Sequence, residues 1–373
     1  MKYRLLDICE FVSDKVDVYN ITTNNYISTE NMIANKSGVT VAEKIPSIKR
    51  VNSFQHKDVL ISNIRPYFQK IWFSDKKGGC SADVLVLRAK NFVVPEFLYC
   101  TLATDGFFNY MTATAKGTKM PRGDKQAIQN YEIDLPSIEV QTKIAHIIFQ
   151  INSKIKVNGK INDNLEQQVQ AIFKSWFIDF EPFSNGDFLK TELGNIPVGW
   201  RVGSLGGVAN ITSGKRPPIK VDIKTDACQI PLVGASSIMG YTSSALYSEP
   251  ILVIGRVGTH GITQRISDPC WPSDNTLVIK SPYYEFIFIQ LQRVDYRSMN
   301  RGSTQPLITQ TDMKNVLIVI PPDEILIEFE ANIRTIMQLW ESNLLEIIKL
   351  KSLRDTLLPK LISGEIDVSD IDV

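Results

Sequence analysis

The chain sets out nearly the same plan twice, and this duplication limits its possible folds more than any other feature. Residues 117 to 176 carry Gly117-Thr118 and Pro121, then Leu135-Pro136-Ser137-Ile138-Glu139, then a long apolar-periodic stretch ending at Trp176. Residues 302 to 361 carry Gly302-Ser303 and Pro306, then Ile320-Pro321-Pro322-Asp323-Glu324, then a second such stretch ending at Leu361. The paired landmarks 117 and 302, 121 and 306, and 136 and 321 are each 185 positions apart, about half of the 373 residues. Two like helices alternating with two unlike globular parts fit a molecule built to read two things a fixed distance apart.

The two periodic stretches predict helices over residues 137 to about 180 and from about Asp323 to Leu361. In the first, a 3-4 spacing picks out Ile144, Ile148, Ile151, Ile155, Asn158, Asn162, Leu165, Val169, Ile172 and Trp176. Adding 185 gives Phe329, Ile333, Ile336, Trp340, Asn343, Ile347, Leu350, Arg354, Leu357 and Leu361. A 3-4 alternation held this long is a coiled-coil seam, roughly 50 Å long at ~1.5 Å per residue. The simplest partner for each seam is the other one, and pseudo-twofold symmetry makes the pair antiparallel. Asn162 then falls close to Asn343, and Asn158 close to Ile347. Polar residues at seam positions fix register at some cost in stability; the alternative is that they face water because Gly159 loosens the first helix. Pro359 is expected to stop or kink the second helix.

The fold class is therefore α+β: two globular mixed α/β domains separated by two long helices in an antiparallel coiled coil, with a pseudo-twofold internal repeat. The boundaries are 1–136 and 184–320 for the globular parts, 137–183 for the first helical region, and 321–373 for the second with an acidic tail. Within the globular parts, Asp58-Val59-Leu60-Ile61, Val84-Leu85-Val86-Leu87, Pro250 to Ile254 and Leu277-Val278-Ile279 read as strands. Pro95 to Leu102 reads as a helix with proline in its first turn. The tail from Gly364 holds Glu365, Asp367, Asp370 and Asp372 with no base, and is expected to fray.

Enzyme motifs are mostly missing. Thr212-Ser213-Gly214-Lys215-Arg216 only grazes a phosphate-binding loop, no Gly-x-Gly-x-x-Gly follows a strand, and Pro321-Pro322 is followed by Asp323 rather than an aromatic residue. His56, His146 and His260 are too dispersed for a metal cluster, and His146, next to the seam, is expected to be partly buried. Cys9, Cys80, Cys100, Cys228 and Cys270 are scattered, which gives no zinc site and suits a reducing cytoplasm. No apolar run reaches the length of a membrane span.

Net charge is +1, so the whole chain gives no electrostatic case for nucleic acid. Local loops differ. Basic and amide side chains read base edges, and the basic ones neutralise phosphates. The first globular part offers Arg65, Tyr67, Gln69 and Lys70, then Lys116, Thr118, Lys119 and Arg122. The second offers Ser213, Lys215 and Arg216, then Arg256, Thr259, His260 and Gln264, then Arg297, Arg301, Ser303 and Gln305. Each taken singly is equally an ordinary surface residue; the groups on Gly/Pro-rich loops carry the signal.

Ala171 to Phe183, reading Ala-Ile-Phe-Lys-Ser-Trp-Phe-Ile-Asp-Phe-Glu-Pro-Phe, resembles the central conserved region of specificity (S) subunits of type I restriction–modification systems. Ile196-Pro197-Val198-Gly199-Trp200 with Ser213-Gly214-Lys215-Arg216-Pro217 is similar to the opening of their second target recognition domain. Gly302 to Pro306 with Val319 to Pro322 is similar to its close. Leu353 to Asp367 matches the distal conserved region. The first part lacks the Pro-x-Gly-Trp lead-in, so its beginning is expected to be organised differently.

The resemblance implies a non-catalytic, cytoplasmic adaptor for double-stranded DNA, with no membrane association and no cofactor of its own. By the same resemblance it recruits two methyltransferase (M) subunits, which use S-adenosylmethionine to methylate adenine N6, and two restriction (R) subunits, which use ATP and Mg. It reads a bipartite, asymmetric target, one half-site per domain. Ile147, Ile161, Phe173, Phe177, Leu339, Leu344 and Ile348 are candidates for docking M. The alternatives are the recognition subunit of another two-part restriction–methylation enzyme, or a coiled-coil scaffold with no DNA role.

Overall fold

The computed structural model describes residues 2–257, 261–296, 298–299 and 307–371. Thr259, His260, Arg297, Arg301, Ser303 and Gln305 lie outside them. The chain divides into two compact units, Met1–Gly159 with Leu344–Val373, and Lys160–Asn343. Each unit holds one mixed α/β domain and the adjoining portions of two long helices, Ile138–Phe177 and Asp323–Ser363.

The two domains repeat one topology. In the first, strands lie in the spatial order Cys9–Phe11, Val84–Ala89, Val59–Ser62, Ile71–Phe73, all neighbours antiparallel. In the second, Asn210–Ser213, Thr276–Lys280, Ile251–Gly255 and Thr263–Ile266 follow the same order. Continuous apolar runs such as Val59 to Ile61 and Ile251 to Ile254 suit strands buried on both faces, and these are fully buried. A smaller sheet in each domain contains a parallel pair, Tyr26–Ile27 with Gly79–Cys80, and Ile230–Val233 with Trp271–Pro272. The helix Pro95–Leu102 begins with proline, as its sequence predicts, and Tyr284–Arg293 follows the last large-sheet strand of the second domain in the same way.

The beginning of the first domain corrects an expectation. Lys2–Arg4 pairs antiparallel with Glu132–Asp134, just as Arg201–Ser204 pairs with Leu317–Ile320. Leu5 N donates to Tyr131 O at 2.8 Å, and Leu205 N to Val316 O at 2.8 Å. The same edge is therefore built without the Pro-x-Gly-Trp lead-in, because backbone pairing asks little of side-chain identity.

Within each unit the long helices run antiparallel. In the first, Arg354 Nη1 donates to Asn152 Oδ1 at 3.2 Å, and Asn158 Nδ2 to Glu346 Oε2 at 2.7 Å. In the second, Asn162 Nδ2 donates to Trp340 O at 3.0 Å, and Phe177 packs on Phe329 with ring centroids 4.7 Å apart. No seam position is exposed: Ile144, Ile148, Asn158, Asn162, Leu165, Val169, Phe329, Ile333, Asn343 and Leu361 are buried. Ile151, Ile155, Ile172, Trp176, Ile336, Trp340, Ile347, Leu350, Arg354 and Leu357 are partly so. The asparagines are thus inside the seam rather than facing water, and the first helix continues through Gly159. Asn162 Oδ1 and Asn343 Nδ2 are buried with no hydrogen-bond partner.

Four further expectations are corrected. Pro359 does not stop the second helix, which runs on to Ser363. Pro359 is exposed, so the carbonyl freed one turn earlier can be taken up by water. Phe173 and Phe177 are buried, because near its C-terminal end the helix is covered on a second side by Phe286 and Trp200; Phe177 lies 5.1 Å from Phe286 and 5.9 Å from Trp200. Neither is available to a partner, whereas Ile161, Leu339, Leu344 and Ile348 remain exposed and Ile147 is half-buried. The tail does not fray over its described residues: Val368 is 1 % exposed in a cluster with Phe97, Ile144 and Leu361, and Lys143 Nζ donates to Ser369 O at 2.6 Å. Apolar Ile366 and Val368 outweigh the surrounding acids. His146 is exposed and bonds Gln150.

Each long helix also caps a helix of the α/β domain in its unit from the side. Gln141 Oε1 accepts Val94 N at 2.9 Å, next to the start of Pro95–Leu102. Glu330 accepts Phe286 N at 2.8 Å and Glu285 N at 3.2 Å, at the start of Tyr284–Arg293. Free amides at a helix N-terminus need such acceptors. Beside this cap, Arg265 is sandwiched between the rings of Tyr284 and Phe288 and bonds Glu285 and Glu341.

Burial pushes the Glu330 carboxyl up to about 7 from 4.5, against the backbone donors and Arg334. Since the folded value lies above the unfolded one, stability declines as pH rises from about 4.5 to about 7, and the cost of burying the charge is fully present above that. Glu330→Gln keeps an acceptor without the charge. Thermal melts should show the variant more stable at pH 8, by on the order of 1–3 kcal/mol, with the gap closing toward pH 5. A difference independent of pH would contradict this.

Candidate nucleic-acid interface

In both domains three loops are tied together at one end of the large sheet, by the same backbone bonds. Asn63 N donates to Asp83 O at 2.8 Å, and Arg256 N to Asn275 O at 3.0 Å. Gly123 N donates to Asn63 O at 3.0 Å, and Ile308 N to Arg256 O at 2.9 Å. Ile64 bridges Arg122 as Val257 bridges Leu307. Asn63 and Arg256 are therefore equivalent positions, as are Arg122 and Leu307. The frame is repeated while the side chains it carries differ.

In the first domain the loop after strand Val59–Ser62 and the loop before helix Lys125–Gln129 form one surface, since Arg65 N donates to Pro121 O at 2.7 Å. Lys116 and Arg122 exchange two backbone bonds of 2.8 and 2.9 Å, which closes the Gly117-Thr118-Lys119-Met120 tip between them. Gly117 takes φ 94, which suits glycine there. Tyr67, Lys116, Thr118, Lys119 and Arg122 are exposed. Lys116 pairs with Asp124 at 2.5 Å and Arg122 with Asp83 at 3.0 Å. Ion pairs this exposed are worth little, so phosphates can compete for both cations. Lys119 has no acidic partner among the described residues. Two candidates are occupied internally: Gln69 Nε2 bonds Asp105 at 3.2 Å, and Lys70 Nζ donates to Thr29 O at 2.6 Å, where burial lowers its pKa.

In the second domain Ser213, Arg256 and a residue the sequence did not single out, Gln310, form one cluster. Ser213 Oγ accepts from Gln310 Nε2 at 2.7 Å and from Arg256 Nη1 at 3.3 Å. A Cβ on Gly214 would collide with the Ser273 carbonyl, so Ser213-Gly214 is set by close backbone approach. Lys215 is anchored by its backbone, its O accepting from Trp271 Nε1 at 2.8 Å, which leaves its side chain and that of Arg216 exposed. Gln264 donates to Gly234 O at 2.8 Å and is occupied. Arg65 Nε and Arg256 Nε are buried without a partner. Sequence reading also passed over Phe68, although an exposed Pro-aromatic-aromatic run was its visible signal.

Among the described residues no group of His, Cys, Asp and Glu is arranged to hold a metal, and no helix is long and apolar enough to cross a membrane. All five cysteines are buried free thiols.

The chain thus combines an α/β frame built twice, polar loops that differ between the two copies, and long helices paired within each unit. The sequence matches the family described as "Type I restriction modification DNA specificity domain" over residues 1–167 and 197–351, and the chain belongs to that family. It is 28% identical over 309 residues to the type I restriction enzyme MjaIX specificity subunit of Methanocaldococcus jannaschii, covering 76% of this chain and 71% of that protein. It is 24% identical over 455 aligned positions to the HindI specificity subunit of Haemophilus influenzae, covering 98% and 99%. The fold is that of the crystallised type I S subunit from M. genitalium, with TM-score 0.63 and 16% identity over 99% of this chain and 96% of that one.

Lys119→Ala with Arg122→Ala should weaken DNA binding by the assembled complex. The log–log dependence of affinity on salt should become shallower by about 1–2. An unchanged slope would remove this loop from the phosphate contacts.

Proposed function

We propose that this chain is the non-catalytic reader of a type I restriction–modification complex, and that each α/β domain reads one half of a bipartite, asymmetric DNA target. What supports this reading is one observation: the same hydrogen-bonded frame carries unlike side chains in the two domains, Asn63 and Asp83 in one against Arg256 and Asn275 in the other. A shared frame presents both loop sets to DNA in the same manner, and unlike side chains select unlike bases. The domain limits are 1–136 and 184–320, with the helical regions 137–183 and 321–373 between and after them.

The chain works in the cytoplasm and recruits two M and two R subunits. S-adenosylmethionine, ATP and Mg belong to those partners. Exposed Ile161, Leu339, Leu344 and Ile348 supply apolar docking surface for M on the helices. The paired helices set the length of the unread spacer. One residue of helix is ~1.5 Å and one base pair ~3.4 Å, so helix length matters to spacing.

Methylation sequencing of DNA from cells expressing this chain with its M partner tests the reading. Adenine methylation should appear at a two-part motif with different halves and a fixed gap. A single uninterrupted motif, or two identical halves, would contradict it, and no dependence on this chain would favour the scaffold alternative. Four residues inserted after Asn158 should change the permitted gap and leave both halves unaltered; altered halves would contradict the ruler role.

A further inference from the structure

The turn Pro66–Phe68 has features that phosphate binding does not explain. Its two aromatic rings point outward: Tyr67 is 50% and Phe68 40% exposed, with centroids 4.7 Å apart. Single exposed apolar side chains are ordinary, but adjacent ones form a patch of the kind that marks a binding surface; on one side Lys70 Nζ lies 5.9 Å from the Phe68 centroid. Met120, half exposed, precedes Pro121, whose carbonyl accepts Arg65 N at 2.7 Å, so the loop bonded to this turn also carries an exposed apolar side chain.

The turn is also held rigidly. Arg65 and Gln69, on either side of it, take φ 49 and 51, and Asn35 and Lys36 take φ 56 and 59. These are four of the six non-glycine residues with positive φ among the described residues, so the strain is concentrated in one place. The strained segments bond each other: Asn35 N donates to Phe68 O and Lys36 N to Gln69 O, both at 2.9 Å. Internal bonds of 3.0 Å from Phe68 N to Arg65 O and 2.8 Å from Gln69 N to Pro66 O complete the turn. Gln69 and Lys36 are further tied to Asp105. A loop this constrained keeps its rings extended rather than folding them down.

We propose that Tyr67 and Phe68 form an aromatic wedge that enters the bound duplex at the half-site of the first domain and unstacks one base step. The occupant is DNA because the apolar tip is small, Arg65 adjoins it in sequence, and the loop bonded to it carries exposed Lys116, Lys119 and Arg122, the pairings of Lys116 with Asp124 and of Arg122 with Asp83 being solvent-exposed. Side chains that insert between base pairs are apolar wedges supported by basic neighbours on the backbone, and flat rings stack on any base. Methyl transfer to a base needs that base out of the stack, and a step already opened lowers the cost of turning a nearby adenine out. The wedge rests on the DNA-reading role proposed above.

The test uses the full chain with its M partner and duplexes in which 2-aminopurine is scanned through both half-sites, leaving out the methylated adenines. Wild type should show a fluorescence rise at one step in one half-site. Tyr67→Leu with Phe68→Leu should lose that rise, bind about tenfold or more weakly, and keep its footprint over both half-sites; Tyr67→Trp should retain the rise. An equal rise in wild type and the double variant, or no rise in a wild-type complex that binds its target, overturns the wedge and leaves the half-site reading intact. A wild-type complex without specific binding overturns both.

Discussion

The side-by-side packing of the two long helices is the interaction on which the rest depends. Each helix is about 40 residues, far too long to be a surface element of either domain, and its apolar face is covered by the other helix. At a burial free energy of ~1.5–3 kcal/mol per large aliphatic side chain, the outer seam layers, such as Ile148 in one unit and Ile333 in the other, make the pairing strongly favourable. The centre is different. Asn158, Asn162 and Asn343 are buried there, and only part of their hydrogen-bonding capacity is used. A slipped register would move these amides against aliphatic neighbours and leave more of them unpaired, which is how a costly polar layer specifies alignment.

The helices hold the domains by side chains as well as by chain connection. Gln141 and Glu330 sit one helical turn apart in the repeat, yet each supplies the acceptor that caps a domain helix. The Arg265 network adds a buried, bidentate tie between a sheet strand, the capped helix and the long helix in the second unit. Attachment of this kind limits the orientations the loops can take relative to the long helices. The loops themselves hang from backbone bonds common to both domains, so side chains can change without moving the frame.

Much of this was legible in the sequence because the signals are periodic or local. The seam spacing gave both long helices and a run of covered positions along them, but not cross-helix partners outside that run such as Asn152, Phe177 and Glu346. Apolar runs gave the strands at Val59, Val84, Ile251 and Thr276, and proline in the first turn gave Pro95–Leu102. What escaped depends on contacts far apart in sequence. Phe173 and Phe177 carry no mark of being covered by Phe286 and Trp200, and Val368 none of packing against Ile144. The edge strand Lys2–Arg4 is made by backbone pairing with residues about 130 positions away, which composition does not encode. Among the interface residues, exposure could be anticipated from loop composition, but the internal use of Gln69, Lys70 and Gln264 could not.

Cross-linking reads the helix pairing most directly. Asn152→Cys and Arg354→Cys replace two side chains that share a 3.2 Å hydrogen bond in the first unit, well away from the middle of the helices, where parallel pairing would place residue 152 beside 337. The native thiols are buried, and burial pushes Cys9 and Cys80 up to about 12, so they compete poorly for a short thiol-specific linker. Antiparallel pairing within one chain predicts a rapid intrachain link at a yield independent of protein concentration. Failure of the native-folded variant to link, or links only between chains, would contradict it.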